Sequence, residues 1–183
     1  MTSMRVLVTA FEPFGGSTTN ITQQIISALP SPVGNVEIVS RCLPVSFHRA
    51  PVVLLQAVEE LQPDRVLLLG QCPAGENIRL ERFAINMMDS SKPDNDDYNP
   101  QEVVIDANAP LAFRTALDIK HMANICQEQG LAVAISNSAG LYVCNRVYYE
   151  ALHAQQKALF VHIPKNMSET LAVNCVRKLV EML

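Results

Sequence analysis

The feature that most constrains the fold is a series of short, nearly unbroken apolar runs separated by stretches of helical spacing. The runs are residues 5–9 (RVLVT), 36–40, 65–69, 132–136 and 158–163. A strand wetted on one side alternates polar with apolar residues, whereas continuous Val, Leu and Ile content suits a strand buried on both faces. Between the runs lie helical patterns at 21–29, 46–61, 117–129, 141–155 and 168–183. The last is the best marked, with Leu171, Cys175, Leu179 and Leu183 in an i+4 stripe and Asn166 as its expected cap, three residues before Glu169. Strands alternating with helices predict an α/β chain: a three-layer α/β/α sandwich around a mixed, largely parallel sheet. Such folds carry their functional groups on loops beyond the strand ends.

Length and composition narrow the function. With 183 residues, 49% hydrophobic and 17% charged, the chain suits one packed domain over 1–183. The formal net charge of −4 and the lack of any basic run argue against a nucleic-acid partner, which would demand a face that neutralises phosphates. Apolar stretches such as 66–69 and 131–135 are too short to cross a bilayer, so no membrane association is expected. The start, MTSMRVLVTAFEPFGG, has no signal-peptide design. Five widely spaced cysteines are then expected to be reduced, in a cytoplasmic protein. No C-x-x-C or His/Cys cluster has zinc spacing, so neither a metal nor another cofactor is expected. Residues 90–110, rich in Asp, Asn, Ser and Pro, are long for a connection and read as either functional or mobile.

Several residues carry possible chemistry, each with a plainer alternative. In FEPFGG (11–16) the glycine pair follows a strand, yet neither dinucleotide nor P-loop spacing is present. Phe11 and Phe14 could wall an apolar pocket for a flat ligand, or simply cover the sheet edge. Cys144, in SNSAGLYVCN, falls on an apolar helical stripe and so could be core. It also follows a polar start at Ser138, where free N–H groups and the helix dipole would favour a thiolate. A thiol nucleophile requires a base, and His162 closes the run ALFVHIP at a strand end; its alternative is an ordinary core or edge histidine. Glu81, in RLERFAIN, would share a face with Phe83 and Ile85 if extended, so its carboxylate demands a partner. Arg79 or Arg82 could supply an ordinary salt bridge. Alternatively Cys, His and Glu together form the nucleophile, base and orienter of a cysteine hydrolase.

Taken in order, VLVTAFEPFGG, GQ with IRLERFAIN, PDN, ISNSAGLYVCN and FVHIP resemble the motifs of the pyroglutamyl-peptidase I (pyrrolidone-carboxylate peptidase) family, over residues 5–164. The resemblance implies a cytosolic cysteine peptidase that removes N-terminal pyroglutamyl groups from peptides. It implies Cys144 as nucleophile, His162 as base and Glu81 as orienter. Phe11 and Phe14 would clasp the lactam ring, backbone groups around Gln71 would hydrogen-bond it, and Val143 would stand on the pocket wall. Asp94 matches a position of functional weight without an assigned role. A homotetramer is the implied assembly. The chain departs from the family pattern at Ser90-Ser91-Lys92, where Ala-Arg-Ile is usual, at 72–76 after the GQ pair, and at Ile21 in place of proline. It is also shorter between Cys144 and His162 and after His162. Those departures motivate a second reading: a homologue that binds a lactam ligand without efficient turnover.

Overall fold

A computed structural model describes residues 4–183; Met1 to Ser3 of the anticipated domain lie outside them. The element order is β1 (Met4–Phe11), α1 (Ile21–Ala28), β2 (Val36–Leu43), α2 (Arg49–Leu61), β3 (Arg65–Cys72), β4 (Ile78–Glu81), β5 (Phe83–Ile85), β6 (Ala112–Arg114), α3 (Ile119–Glu128), β7 (Val133–Ser136), α4 (Val143–His153), β8 (Ala158–Pro164) and α5 (Glu169–Glu181). Six strands form one sheet in the order β2-β1-β3-β8-β4-β7, and β5 pairs with β6 in a separate ribbon. Among the described residues only the β4–β8 pairing within the large sheet is antiparallel. The sheet is therefore mixed and largely parallel.

The apolar runs in β1, β3 and β8 are buried on both faces as their composition demands. β2 and β7, expected to be buried alike, are instead sheet edges and are only partly buried beyond Val36, Leu43 and Val133. In β1, Val6 and Val8 face one layer while Leu7 and Phe11 face the other; in β3, Leu67 and Leu69 oppose Val66 and Leu68. One face is covered by α1, α3 and α5 through Ile25, Met122 and Val176, the other by α2 and α4 through Leu54 and Val147. This is the three-layer sandwich.

Two local expectations are corrected. Helix α5 is capped by Ser168, whose Oγ accepts from the Leu171 N–H at 3.3 Å, not by Asn166. The Asn166 side chain instead accepts from the Gly75 N–H at 2.9 Å, tying the loop after β3 to the one after β8. RLERFAIN is not one extended run. It breaks at Arg82 into β4 of the main sheet and β5 of the ribbon, so Glu81 does not share a face with Phe83 and Ile85.

Candidate active site

Strand parity brings four distinctive residues to the face covered by α4. Val66 and Leu68 point there, hence so do Gly70 and Cys72; Phe160 points there, hence so does His162. In β4, Ile78 and Leu80 point the other way, which leaves Glu81 on the α4 face. Gly70 pairs with His162 across the parallel ladder, and Glu81 pairs with Phe160 across the antiparallel one. Glu81 and His162 are therefore diagonal neighbours on one face, within reach for long side chains.

They meet. His162 Nδ1 lies 2.7 Å from Glu81 Oε1, and both residues are buried. A carboxylate only accepts, so Nδ1 is the donor of this contact, and in the neutral ring that tautomer leaves the lone pair on Nε2. Arg79 Nε stands 3.9 Å from the same oxygen, a secondary contact. Arg82 turns away, donating to Asn137 Oδ1 at 2.9 Å. Glu81 Oε2 is buried with no hydrogen-bond partner among the described residues.

Cys144 is the second residue of α4. The helix begins only at Val143, with Tyr142 at the N-cap and no side-chain capping bond, so the polar start expected at Ser138 belongs to the preceding loop. There the Ser138 hydroxyl accepts from the Gly140 N–H at 3.1 Å. The uncapped first turn leaves backbone N–H groups free near the sulfur. Asn145, fully buried beside Cys144, fixes how the helix is rotated. Its Oδ1 accepts from the Ile85 N–H at 2.8 Å, and its Nδ2 donates to Ile85 O at 2.8 Å and Met87 O at 3.0 Å.

Gly70 determines where the sulfur can sit. A Cβ on Gly70 would lie 2.9 Å from Cys144 Sγ and 2.6 Å from Phe160 Cζ. The sulfur thus rests over a gap in the side-chain layer. That gap is about one strand spacing, roughly 5 Å, from the His162 position that Gly70 pairs with. Cys144 keeps some accessible surface but is otherwise enclosed by protein. Burial first, and the Glu81 charge second, push its thiol up to about 12. The helix start was expected to favour a thiolate; desolvation outweighs that dipole, and the resting group at neutral pH is a thiol.

Phe11, Phe14, Gln71, Val143, Cys144 and His162 all border one cavity of about 440 Å³, with Glu81 behind His162. Phe14 is carried on a turn in which Gly15 and Gly16 adopt φ of 61° and 78°, closed by the Ser17 N–H donating to Phe14 O at 3.1 Å. The Gln71 side chain accepts from the Ile21 N–H at 3.1 Å, so its carbonyl oxygen is committed to the start of α1. Two further lining residues, Arg79 and Tyr142, were not anticipated as pocket walls. Tyr142 rests against Phe14 at 6.4 Å and donates its hydroxyl to Pro93 O at 3.1 Å.

Asp94 receives a structural account. Its Oδ2 accepts from the Phe47 N–H at 2.8 Å, and its Oδ1 accepts from the N–H groups of Asp96 and Tyr98 at 2.9 Å each. A buried carboxylate so engaged pins the 90–110 segment against the approach to α2. The same segment is tied down by the Met88–Val103 bridge and by Asn86 donating to Asp106 O at 2.7 Å.

The pyroglutamyl peptidase family model matches residues 4–175. The chain belongs to the pyroglutamyl peptidase family. It is similar to the pyrrolidone-carboxylate peptidase of Thermococcus onnurineus, 40% identical over 167 residues, covering 88% of this chain and 84% of that one. The Streptococcus pyogenes serotype M1 pyrrolidone-carboxylate peptidase is 37% identical over 174 residues, covering 92% and 81%. Among solved structures, pyrrolidone carboxyl peptidase from Thermococcus litoralis superposes with a TM-score of 0.93 at 34% identity, covering 98% of this chain and 92% of that one. Pyroglutamyl peptidase I from Bacillus amyloliquefaciens gives 0.91 at 28%, covering 98% and 96%. The chain is thus an enzyme of the pyroglutamyl-peptidase I type. Ser90, Ser91 and Lys92, where the sequence was expected to depart from the family motifs, fall outside the 440 Å³ cavity, in an adjoining groove of about 690 Å³. Cys72 and Pro73 border both spaces.

Proposed function

We propose that this peptidase hydrolyses the bond after an N-terminal pyroglutamyl residue, with Cys144 as nucleophile, His162 as general base and acid, and Glu81 as its orienter. The observation that carries the reading is the 2.7 Å contact between His162 Nδ1 and Glu81 Oε1, at the back of the cavity Cys144 borders. Because the resting sulfur is a thiol, attack is coupled to proton transfer. His162 Nε2 takes the Sγ proton as the Sγ–C bond forms, and the carboxylate of Glu81 stabilises the imidazolium. The carbonyl oxygen, now an oxyanion, is met by the free N–H groups at the start of α4. Collapse breaks the C–N bond while the imidazolium protonates the leaving amine, giving a thioester. Water, deprotonated by His162, then releases pyroglutamate and regenerates the thiol.

The pocket suits a neutral ring. Phe11 and Phe14 offer aromatic faces to the lactam, with Val143 on the wall. With the Gln71 side chain committed, its main chain is left for the ring amide. A charged amino terminus would lose its hydration there without an anionic partner, so ordinary N-termini are rejected. Free cysteines throughout fit a reducing cytoplasm, and a homotetramer follows the family resemblance; sedimentation of the purified chain tests the assembly. Among the described residues no helix is long and apolar enough to cross a membrane.

The test is release of a fluorogenic amine from a pyroglutamyl amide under reducing conditions. Cys144→Ala and His162→Ala are expected to abolish turnover, and Glu81→Gln to lower kcat with KM little changed. Turnover that persists in Cys144→Ala would sink the proposal. Binding of the free lactam with no Cys144-dependent hydrolysis would instead support a lactam-binding homologue.

A further inference from the structure

The groove beside the acyl cavity carries two ammonium groups that form no ion pair among the described residues. Both spaces share Phe14, Gln71, Cys72, Pro73 and Tyr142 as borders, so a peptide whose first residue fills the small cavity continues into the groove. Lys92 and Lys165 line it, both exposed, and neither makes an ion pair among the described residues. The lining residues include one carboxylate, Asp94, which is 4% exposed and has both oxygens turned to backbone N–H groups. In a chain of net charge −4, two unpaired ammonium groups at one groove are a local reversal of sign.

Both lysines are held by their main chains and free at their tips. The Lys165 N–H donates to Cys72 O at 3.0 Å, fixing it at the junction of cavity and groove. Lys165 is three residues past His162, about 10 Å of extended chain, and lines the groove into which one or two leaving residues, at about 3.5 Å each, would extend. The Lys92 N–H donates to Ser90 Oγ at 3.1 Å, and Lys92 O accepts from the same hydroxyl at 2.6 Å, so the Ser90-Ser91-Lys92 turn faces its side chain to the groove edge.

From this arrangement we infer that Lys92 and Lys165 select leaving peptides that carry a carboxylate close behind the pyroglutamyl residue. The inference rests on the peptidase reading above and specifies its substrate class. The carboxylate has two sources, an acidic side chain at the residue after pyroglutamate or the free C-terminus of a dipeptide. Either would be drawn by the same field, and the attraction weakens with salt because both ammonium groups are exposed.

The experiment compares kcat/KM of the intact enzyme on four substrates at low and high ionic strength. They are pyroglutamyl-Ala-Ala amide, pyroglutamyl-Glu-Ala amide, pyroglutamyl-Lys-Ala amide and pyroglutamyl-Ala with a free carboxylate. At low salt the carboxylate-bearing peptides are expected to exceed the neutral one by about three- to tenfold, with the lysyl peptide below it. The gap should close as salt rises. Which of the two carboxylate substrates leads identifies the source. Charge reversal, Lys92→Glu with Lys165→Glu, is expected to invert the ranking in favour of the lysyl peptide, a change that a mere loss of folding cannot produce. Lys92→Gln should narrow the gap without inverting it. Equal rates on all four substrates, or a carboxylate preference that survives charge reversal, would overturn the inference while leaving the peptidase intact. Failure to cleave any of the four with Cys144 present removes the peptidase reading and this one together.

Discussion

Replacing Gly70 by alanine adds one methyl group at the point where three parts of the site converge. Gly70 lies in β3, pairs with His162 and has no positive φ, so alanine brings no backbone strain and the effect is steric. The new Cβ would stand 2.6 Å and 2.7 Å from two Phe160 ring atoms and 2.9 Å from Cys144 Sγ. Ordinary carbon contacts begin at about 3.5 Å, so the ring must retreat by nearly 1 Å and the sulfur by more than half that. Phe160 has little room. It is fully buried, its ring centroid is 5.8 Å from Tyr148 and 4.9 Å from His162, and motion is passed on to the imidazole. Overpacking of this kind costs about 1–3 kcal/mol of stability. Misplacing a nucleophile and its base by about 1 Å costs about a hundredfold in rate. The expected result is kcat reduced about a hundredfold on the fluorogenic amide with KM little changed, because Phe11 and Phe14 are untouched. Adding Phe160→Leu should restore stability to urea more than activity, since the clash with sulfur remains. A Gly70→Ala enzyme within about twofold of the parent rate, with unaltered alkylation of Cys144, would refute the assignment of Gly70 as the seat of the sulfur.

Other consequences are measurable. The Cys144 thiol is raised to about 12 in the folded chain, against about 8.5 unfolded, so its contribution to stability is complete below about pH 8.5 and lost as pH rises toward 12. Urea unfolding at increasing alkaline pH should therefore show a shallower decline in Cys144→Ala than in the parent; equal slopes would contradict the buried, protonated sulfur. Asp94→Asn replaces an acceptor of three N–H groups by a side chain whose NH2 faces donors, and should cost about 1–3 kcal/mol. Faster proteolytic nicking within 90–110 would accompany it. Asn145→Ala strips three hydrogen bonds from half-buried main chain, with an expected loss of about 3 kcal/mol and slower iodoacetamide labelling of Cys144. Labelling at the parent rate would show that the clamp does not set the rotation of α4.

The middle of the sheet was legible because β1, β3 and β8 are buried on both faces, and Val, Leu and Ile report that directly. The edge strands β2 and β7 carry similar residues with only partial burial. What escaped were strands whose stability comes from neighbours. β4 has only Ile78 and Leu80 as apolar marks, and it exists because β8 and β7 flank it. The break at Arg82 follows from where the next partner lies: β5 pairs with β6, beyond an excursion of more than twenty residues that no local pattern encodes. The same limit applied to the site. Cys144 and His162 could be picked out by position, but whether Glu81 reached His162 or an arginine depended on an antiparallel register invisible in the sequence. Gly70, a plain residue inside an apolar strand, carries its meaning only through what stands across from it. Asn145 looked like one more polar helix residue, and only its burial against β5 reveals a clamp.

The positions at which this chain departs from its family are distributed unevenly, and that bears on what they do. Phe11, Phe14, Gln71 and Val143 border the smaller cavity. Ser90, Ser91 and Lys92 border only the groove. Their loop is anchored independently of them, by Asp94 on the Phe47 N–H and by Tyr142 on Pro93 O. Changes there can alter charge at the groove without moving the sulfur, the imidazole or the aromatic walls. Cys72 and Pro73 stand between the two spaces, and Ile21 holds the Gln71 side chain at the cavity through its N–H, so these departures do adjoin it. Burial raises the Cys72 thiol above its ordinary value, so it presents a neutral wall to the cavity. Restoring the usual Ala-Arg-Ile at 90–92 should therefore change the ranking among leaving peptides, leaving discrimination between a pyroglutamyl and an ordinary N-terminus as it is. If instead it altered the acceptance of the ring itself, groove and cavity would have to be one coupled site.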